Sequence, residues 1–164
     1  MRKLLAVAFV AVLSLSGCQT SPGQFHDKHT GVTVTHSRTY ALKNGLLYNL
    51  NGFAGHSARR GFNLAIDYSS TGLGWMFFRE AWSFGKQYEY VVADERVAGC
   101  GGGSCTLVER GGIRMSEDDF RKASQTGFEF KLMGKNGSVE GRMPAEAFQQ
   151  VLDQLEGRQT TSEK

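Results

Sequence analysis

The stretch Cys100-Gly101-Gly102-Gly103-Ser104-Cys105 lies between two strand-like runs, YEYVVADERVAG (88–99) and TLVERGGIRM (106–115). Runs of this kind on both sides of a glycine cluster require the chain to turn back on itself. So tight a reversal needs φ > 0 at one or more positions, which glycine adopts without a Cβ clash. The two runs are therefore expected to pair as a hairpin. The glycines do not read as a phosphate cradle, because no Lys-Ser/Thr follows and no helix opens there. Nor do the thiols read as a metal site: two of them leave a zinc shell half empty, and no histidine is near. A redox pair would usually hold two residues between its thiols and sit at a helix terminus. Whether the two thiols bond to each other depends on the compartment, and the N-terminus bears on that.

Arg2 and Lys3 open the chain, and residues 4–13 then run LLAVAFVAVL without a polar side chain. That run is too short for a permanent membrane helix, which needs about 20 residues. A charged start, a short apolar stretch and the small residues Ser16 and Gly17 read as a secretory signal. Leu15-Ser16-Gly17-Cys18 then resembles the lipobox of bacterial lipoproteins. The resemblance implies cleavage before Cys18, a diacylglycerol thioether on its sulfur and acylation of the new amine. Two or three acyl chains at ~0.8 kcal/mol per buried CH₂ give stable anchoring where one is marginal. In that family an Asp after the cysteine favours the inner membrane. Gln19 stands here, which implies the periplasmic face of the outer membrane, with that of the inner membrane as the alternative. An ordinary signal peptide with a chance cysteine nearby is the plainer reading of the same residues.

With Cys18 assigned to lipid, Cys100 and Cys105 remain as an even pair in an oxidising compartment, and a disulfide is expected between them. Closing so short a loop stabilises by about 2 kcal/mol in the chain-entropy picture. Removing residues 1–17 from the 164 leaves 147, enough for one domain with its own core. The leader holds two of the 19 basic residues and none of the 16 acidic ones, so 17 face 16 in the processed chain. So balanced a charge argues against nucleic acid, which needs a dense cationic face.

The expected organisation is a signal peptide over 1–17, a lipidated Cys and flexible tether over 18–31, one domain over 32–157 and a polar tail over 158–164. Strands are expected near 32–35, 46–50, 62–68, 75–84, 88–99, 106–115, 128–134 and 138–143. In WMFFREAWSF (75–84), alternation puts Trp75, Phe77, Arg79 and Ala81 on one face, and Met76, Phe78, Trp82 and Phe84 on the other. Ser116 before Glu117, Asp118 and Asp119 reads as the cap and acidic first turn of a helix that Gly127 ends. Pro144 opens a second helix, whose stripe is Phe148, Val151, Leu152 and Leu155. The fold class is α+β: an antiparallel sheet of about eight strands with two short C-terminal amphipathic helices on one side. A β-sandwich with appended helices is the alternative. This layout is similar to that of bacterial envelope lipoproteins to which no activity is assigned, and no site residue follows from the likeness.

Candidate sites are few. HDKH (26–29) offers two imidazoles and a carboxylate, but a disordered tether would not hold them to a metal's geometry, so no metal and no cofactor is expected. Arg59 and Arg60, beside His56, present guanidinium forks suited to an anion such as a lipid phosphate. Trp75 and Trp82 are candidates for lining a ligand pocket, although aromatics on strands more often form core. Glu109 and Arg110 read as exposed strand charges. No G-x-S-x-G or H-E-x-x-H signature occurs, and helix capping accounts for the clustered carboxylates at 117–119, so catalysis is not the first expectation. The expected protein is a lipid-anchored envelope protein facing the periplasm, held through Cys18, that binds another envelope protein, peptidoglycan or a lipid. The alternatives are a small periplasmic hydrolase and a structural subunit acting by strand addition.

Overall fold

A computed structural model describes residues 21–157 of the chain. The leader, Cys18 and the tail 158–164 lie outside the described residues. Ten strands and two helices follow in the order β1 (Gly23–Asp27), β2 (Val32–His36), β3 (Tyr40–Asn44), β4 (Tyr48–Ser57), β5 (Gly61–Thr71), β6 (Phe78–Ser83), β7 (Lys86–Gly101), β8 (Ser104–Met115), α1 (Glu117–Thr126), β9 (Phe128–Gly134), β10 (Gly137–Met143) and α2 (Ala145–Leu155). All strand pairings are antiparallel, in the order β1-β2-β4-β5-β8-β7-β6-β9-β10, with β3 beside β4.

The α+β class is as expected, but the strands number ten rather than eight. The two additional strands are β1 and β3. β1 lies within the stretch expected as tether and pairs residue for residue with β2. The polar composition that suggested a linker suits an edge strand equally well: His26 bonds the Thr33 hydroxyl at 3.0 Å and remains exposed. β2 and β3 share one side of β4, end to end. Between them Ser37 bridges the break, its N–H donating to the Ala54 carbonyl and its Oγ accepting from the Ala54 N–H.

The sheet curls until its last strand returns to its first ones. Gly141 of β10 comes against Leu50 of β4, and Met143 against Gly52. A Cβ at 141 would lie 2.7 Å from the Phe130 ring, and one at 52 would lie 2.9 Å from the Ala65 carbonyl oxygen. The close approach therefore depends on the missing side chains at both positions. Leu50, Leu64, Ile66, Tyr68, Ile113 and Leu132 fill the enclosed space. α1 and α2 pack on each other and on β2, β4 and β5. Phe120 meets Phe62 at 4.6 Å and Phe148 at 4.9 Å, so an aromatic stack joins helices to sheet. This is the helical end of the domain.

The opposite end is closed by the chain before β6. Glu109 of β8 is 2 % exposed and points inward. Its Oε1 accepts from the Met76 N–H at 2.6 Å, and its Oε2 from Phe77 at 2.7 Å and Phe78 at 3.4 Å. Three successive amides converge on one carboxyl because Phe77 adopts φ 54°, the turn that builds an anion-binding concavity from backbone N–H groups. The expectation of an exposed Glu109 is thereby overturned. The expected strand over 75–84 is shortened as well, since β6 begins only at Phe78. A register shift between Phe78 and Glu80 then places Phe78 and Ala81 on the same buried side.

The hairpin of β7 and β8 forms as expected. Cys100 pairs directly with Cys105 and the two are disulfide-bonded. Gly102 and Gly103 both have positive φ at the tip.

The Glu109 carboxyl offers four lone-pair sites to its three donors, whereas an amide would turn an NH₂ toward one of them. Glu109→Gln is therefore expected to lower unfolding free energy by about 2 kcal/mol, the usual cost of stranding a buried donor. A urea titration measures it, and an unmoved midpoint would rule out this role.

Candidate functional site

β6 and β7 are joined by Phe84-Gly85, with φ 45° and 84° at the two positions. Positive φ at both central residues is the requirement of a type I′ turn, which is usually met by Asn-Gly or Gly-Gly. The hairpin of β7 and β8 meets it with Gly102-Gly103. Here a phenylalanine is held in the left-handed region, at a steric cost that bulky residues rarely bear. It gains no burial in return, being 90 % exposed.

Phe84 stands between two clefts. One, of about 540 Å³, crosses the outer face of β6, β9 and β10 and is lined by Trp82, Phe84, Leu42, Lys131 and Arg142. Its rim charges are paired across strands: Lys131 with Glu140 at 3.2 Å, and Arg142 with Glu129 at 3.0 Å. The Trp82 indole N–H donates to Glu80 at 2.9 Å, which fixes the plane of the ring. The second cleft, of about 390 Å³, lies between the same turn and α1, lined by Phe84, Lys86, Tyr88, Asp119 and Lys122. Lys86 Nζ donates to Asp119 Oδ2 at 2.6 Å.

Asp119 also receives the Ser116 hydroxyl, and its own N–H donates to Ser116 Oγ as the helix cap. Burial acts to raise the Asp119 carboxyl, but the bonds from Lys86 and Ser116 outweigh it and hold the group below its ordinary value. Lys86 is raised by the same bond to Asp119, and burial raises Tyr88. The site thus offers two aromatic faces, with fixed ionic partners at the rim. Such a surface is suited to receiving a flat or apolar group whose edges carry polar atoms.

The two tryptophans expected in one pocket are far apart. Trp82 lines the larger cleft; Trp75 stacks on Phe77 at 5.8 Å, near the end that Glu109 closes. The shortened β6 is the reason, since Trp75 precedes the strand. Arg59 and Arg60 sit in the exposed β4–β5 turn at the helical end, away from both clefts. The adjoining His56 lies against Phe62 at 4.4 Å, and burial lowers its pKa. His29 and Asp27 belong to the turn after β1, where the His29 N–H donates to Asp27 at 2.8 Å. Among the described residues no group of three His, Cys, Asp or Glu is placed to hold a metal, and no helix is long and apolar enough to cross a membrane. Phe84 escaped the sequence reading because strand alternation absorbed it. The signal that marks it is the Phe-Gly pair at a turn position where Asn-Gly is the norm. Comparison with protein-family models, with curated proteins and with solved structures returns no significant match to the chain.

A carboxyl held below its ordinary value stabilises the fold above the unfolded-state pKa, and that gain is lost as pH falls through the folded one. Asp119→Asn should therefore lower the melting temperature at neutral pH. The gap to the parent protein should close below about pH 4, the ordinary carboxylate range. Thermal melts across pH 2–8 check this; a gap that persists in acid would assign the loss to packing instead.

Proposed function

We propose that the protein is a lipid-anchored envelope protein, facing the periplasm, that binds a partner through the Phe84 turn and the clefts beside it. The reading joins two independent supports. The leader and the tetrapeptide ending at Cys18 supply the anchor. The exposed Phe84, held at positive φ where it costs backbone energy, supplies the binding surface. That single observation carries the proposal, because strain at an exposed aromatic has no folding benefit to offset it. The rim ion pairs favour recognition over hydrolysis, since each carboxylate lining the larger cleft already faces a cation.

Strand addition has one observation in its favour. Among the described residues no strand pairs with residues 91–101 of β7 on the side away from β8, and Val91, Val92 and Val97 are exposed. Register shifts at Ala93 and Ala98 break that edge, as bulges do where a protein guards against pairing.

Phe84→Asn separates stability from binding. Asn adopts the left-handed region more readily, so the variant should gain about 0.5–1 kcal/mol of stability while losing its partner. A photo-crosslinking residue at position 84 should capture one envelope component in intact cells, and the same group at exposed Gln125 should not. Equal labelling from both positions, or a Phe84→Asn variant that is less stable, would count against the site. Cys18→Ala should move the protein from the membrane to the soluble fraction, and unchanged fractionation would refute the anchor. Turnover of peptidoglycan fragments by the purified protein would favour the hydrolase reading instead.

A further inference from the structure

We infer that the larger cleft beside Phe84 binds an uncharged glycan chain, with a sugar ring stacked on Trp82. This rests on the reading of the Phe84 turn and its clefts as a partner site, and it names the chemistry of that partner. The strand register builds the cleft. Trp82 of β6 lies opposite Lys131 of β9, and Lys131 lies opposite Glu140 of β10. Two residues further along, Glu129 lies opposite Arg142. Residues paired across strands present their side chains to the same side of a sheet. These five therefore share the outer face, since the alternate residues Phe130 and Leu132 are buried in the core. Leu42 and Phe84 complete the apolar part of the lining.

The indole is oriented before any ligand arrives, because Glu80 holds its N–H at 2.9 Å. A ring fixed in this way loses little rotational freedom on binding. Its π face carries partial negative charge and attracts the C–H groups that project from one side of a sugar ring. The charged side chains of the lining are balanced, Lys131 against Glu140 at 3.2 Å and Arg142 against Glu129 at 3.0 Å. A phosphate or carboxylate gains nothing from such a rim, since each cation already has a carboxylate at its side. An ammonium, a guanidinium or a carboxylate joined in one ion pair still keeps donors or acceptors to spare. Those suit the hydroxyl rim of a sugar, which both donates and accepts.

The width of the cleft calls for more than one ring. From β6 across β9 to β10 is about 10 Å at the spacing of paired strands, and the cleft encloses about 540 Å³. Because it crosses the outer face of the sheet, a chain can pass through it and leave at either side. An extended peptide fits less well. Such a peptide binds along an open strand edge through main-chain hydrogen bonds. Here β9 is paired on both sides, so its main chain is not available to a ligand. A lipid tail fits less well again, because Phe130 and Leu132 fill the core beneath and four of the lining residues are charged.

The chain has two tryptophans, and Trp75 stands outside the cleft. Trp75→Phe therefore leaves Trp82 as the reporter, and Trp82→Phe leaves Trp75. The full protein is purified from membranes in a zwitterionic detergent, which carries no sugar, and titrated with cellotetraose and with the tetramer of N-acetylglucosamine. The expected result is a saturable change in Trp82 emission with at least one of them at millimolar concentration, and none in Trp75 emission. Trp82→Ala should bind that oligosaccharide about tenfold more weakly by calorimetry, the loss of one stacked ring. Raised salt should leave the affinity unchanged, because the ligand carries no charge to screen. Unmoved Trp82 emission with both oligosaccharides, or an equal response of both rings, overturns the inference. Circular dichroism checks that each variant folds, and the emission test needs no alanine variant. A protein captured by the crosslinker at position 84, with Trp82 silent to both sugars, sinks the glycan and leaves the Phe84 turn standing. Sugar binding that Trp82→Ala weakens and Phe84→Asn leaves intact sinks that turn and leaves the glycan cleft standing.

Discussion

The carboxyl of Glu109, buried and gripped by the amides of residues 76–78, is the interaction from which the arrangement of this domain follows. A charged residue type at a core-facing position is tolerated only with donors around it. Here two of the three donors, Met76 and Phe77, come from the segment before β6, a strap that has no strand partner of its own. The exchange satisfies both sides, since the strap's amides would otherwise be orphaned and the carboxyl unpaired. Its consequence is spatial. The strap is pulled across one end of the curled sheet, Phe78 enters the core, and Trp75 is left outside beside Phe77.

Among the described residues two phenylalanines hold positive φ, and the contrast between them separates structure from function. Phe77 is compensated: its turn points three N–H groups at Glu109. Phe84 gains no such hydrogen bonds from its turn, and its largely exposed ring stands between two clefts. Strain that is repaid within the fold needs no further explanation. Strain that is not repaid points outside the molecule. On this reading the aromatic turn beside the helices is the working end of the domain.

Much of the local structure was legible in the residues. Cys100 to Cys105 demanded a hairpin and formed one, because glycine's freedom at the tip and the flanking alternation are both local properties. Ser116 and the three acids after it marked α1, and Pro144 with the Phe148–Leu152 stripe marked α2, for the same reason. β1 and β3 were not legible. Their residues are polar or half-exposed, and an edge strand needs only one partner, which pattern alone does not reveal. The register shift in β6 was equally hidden, so the two tryptophans were assigned to one pocket when they stand at different places.

The amino-acid order alone thus settled the class of fold, the crosslinked hairpin, the capped helices and the motif that points to an anchor, because each depends on neighbours within about ten residues. Only the folded chain decided that Glu109 faces inward and that Phe84 stands exposed between clefts. Those facts join residues such as 109 with 76, and 86 with 119. Contacts of that range are set by how the sheet curls and where its strands align, which no local pattern encodes.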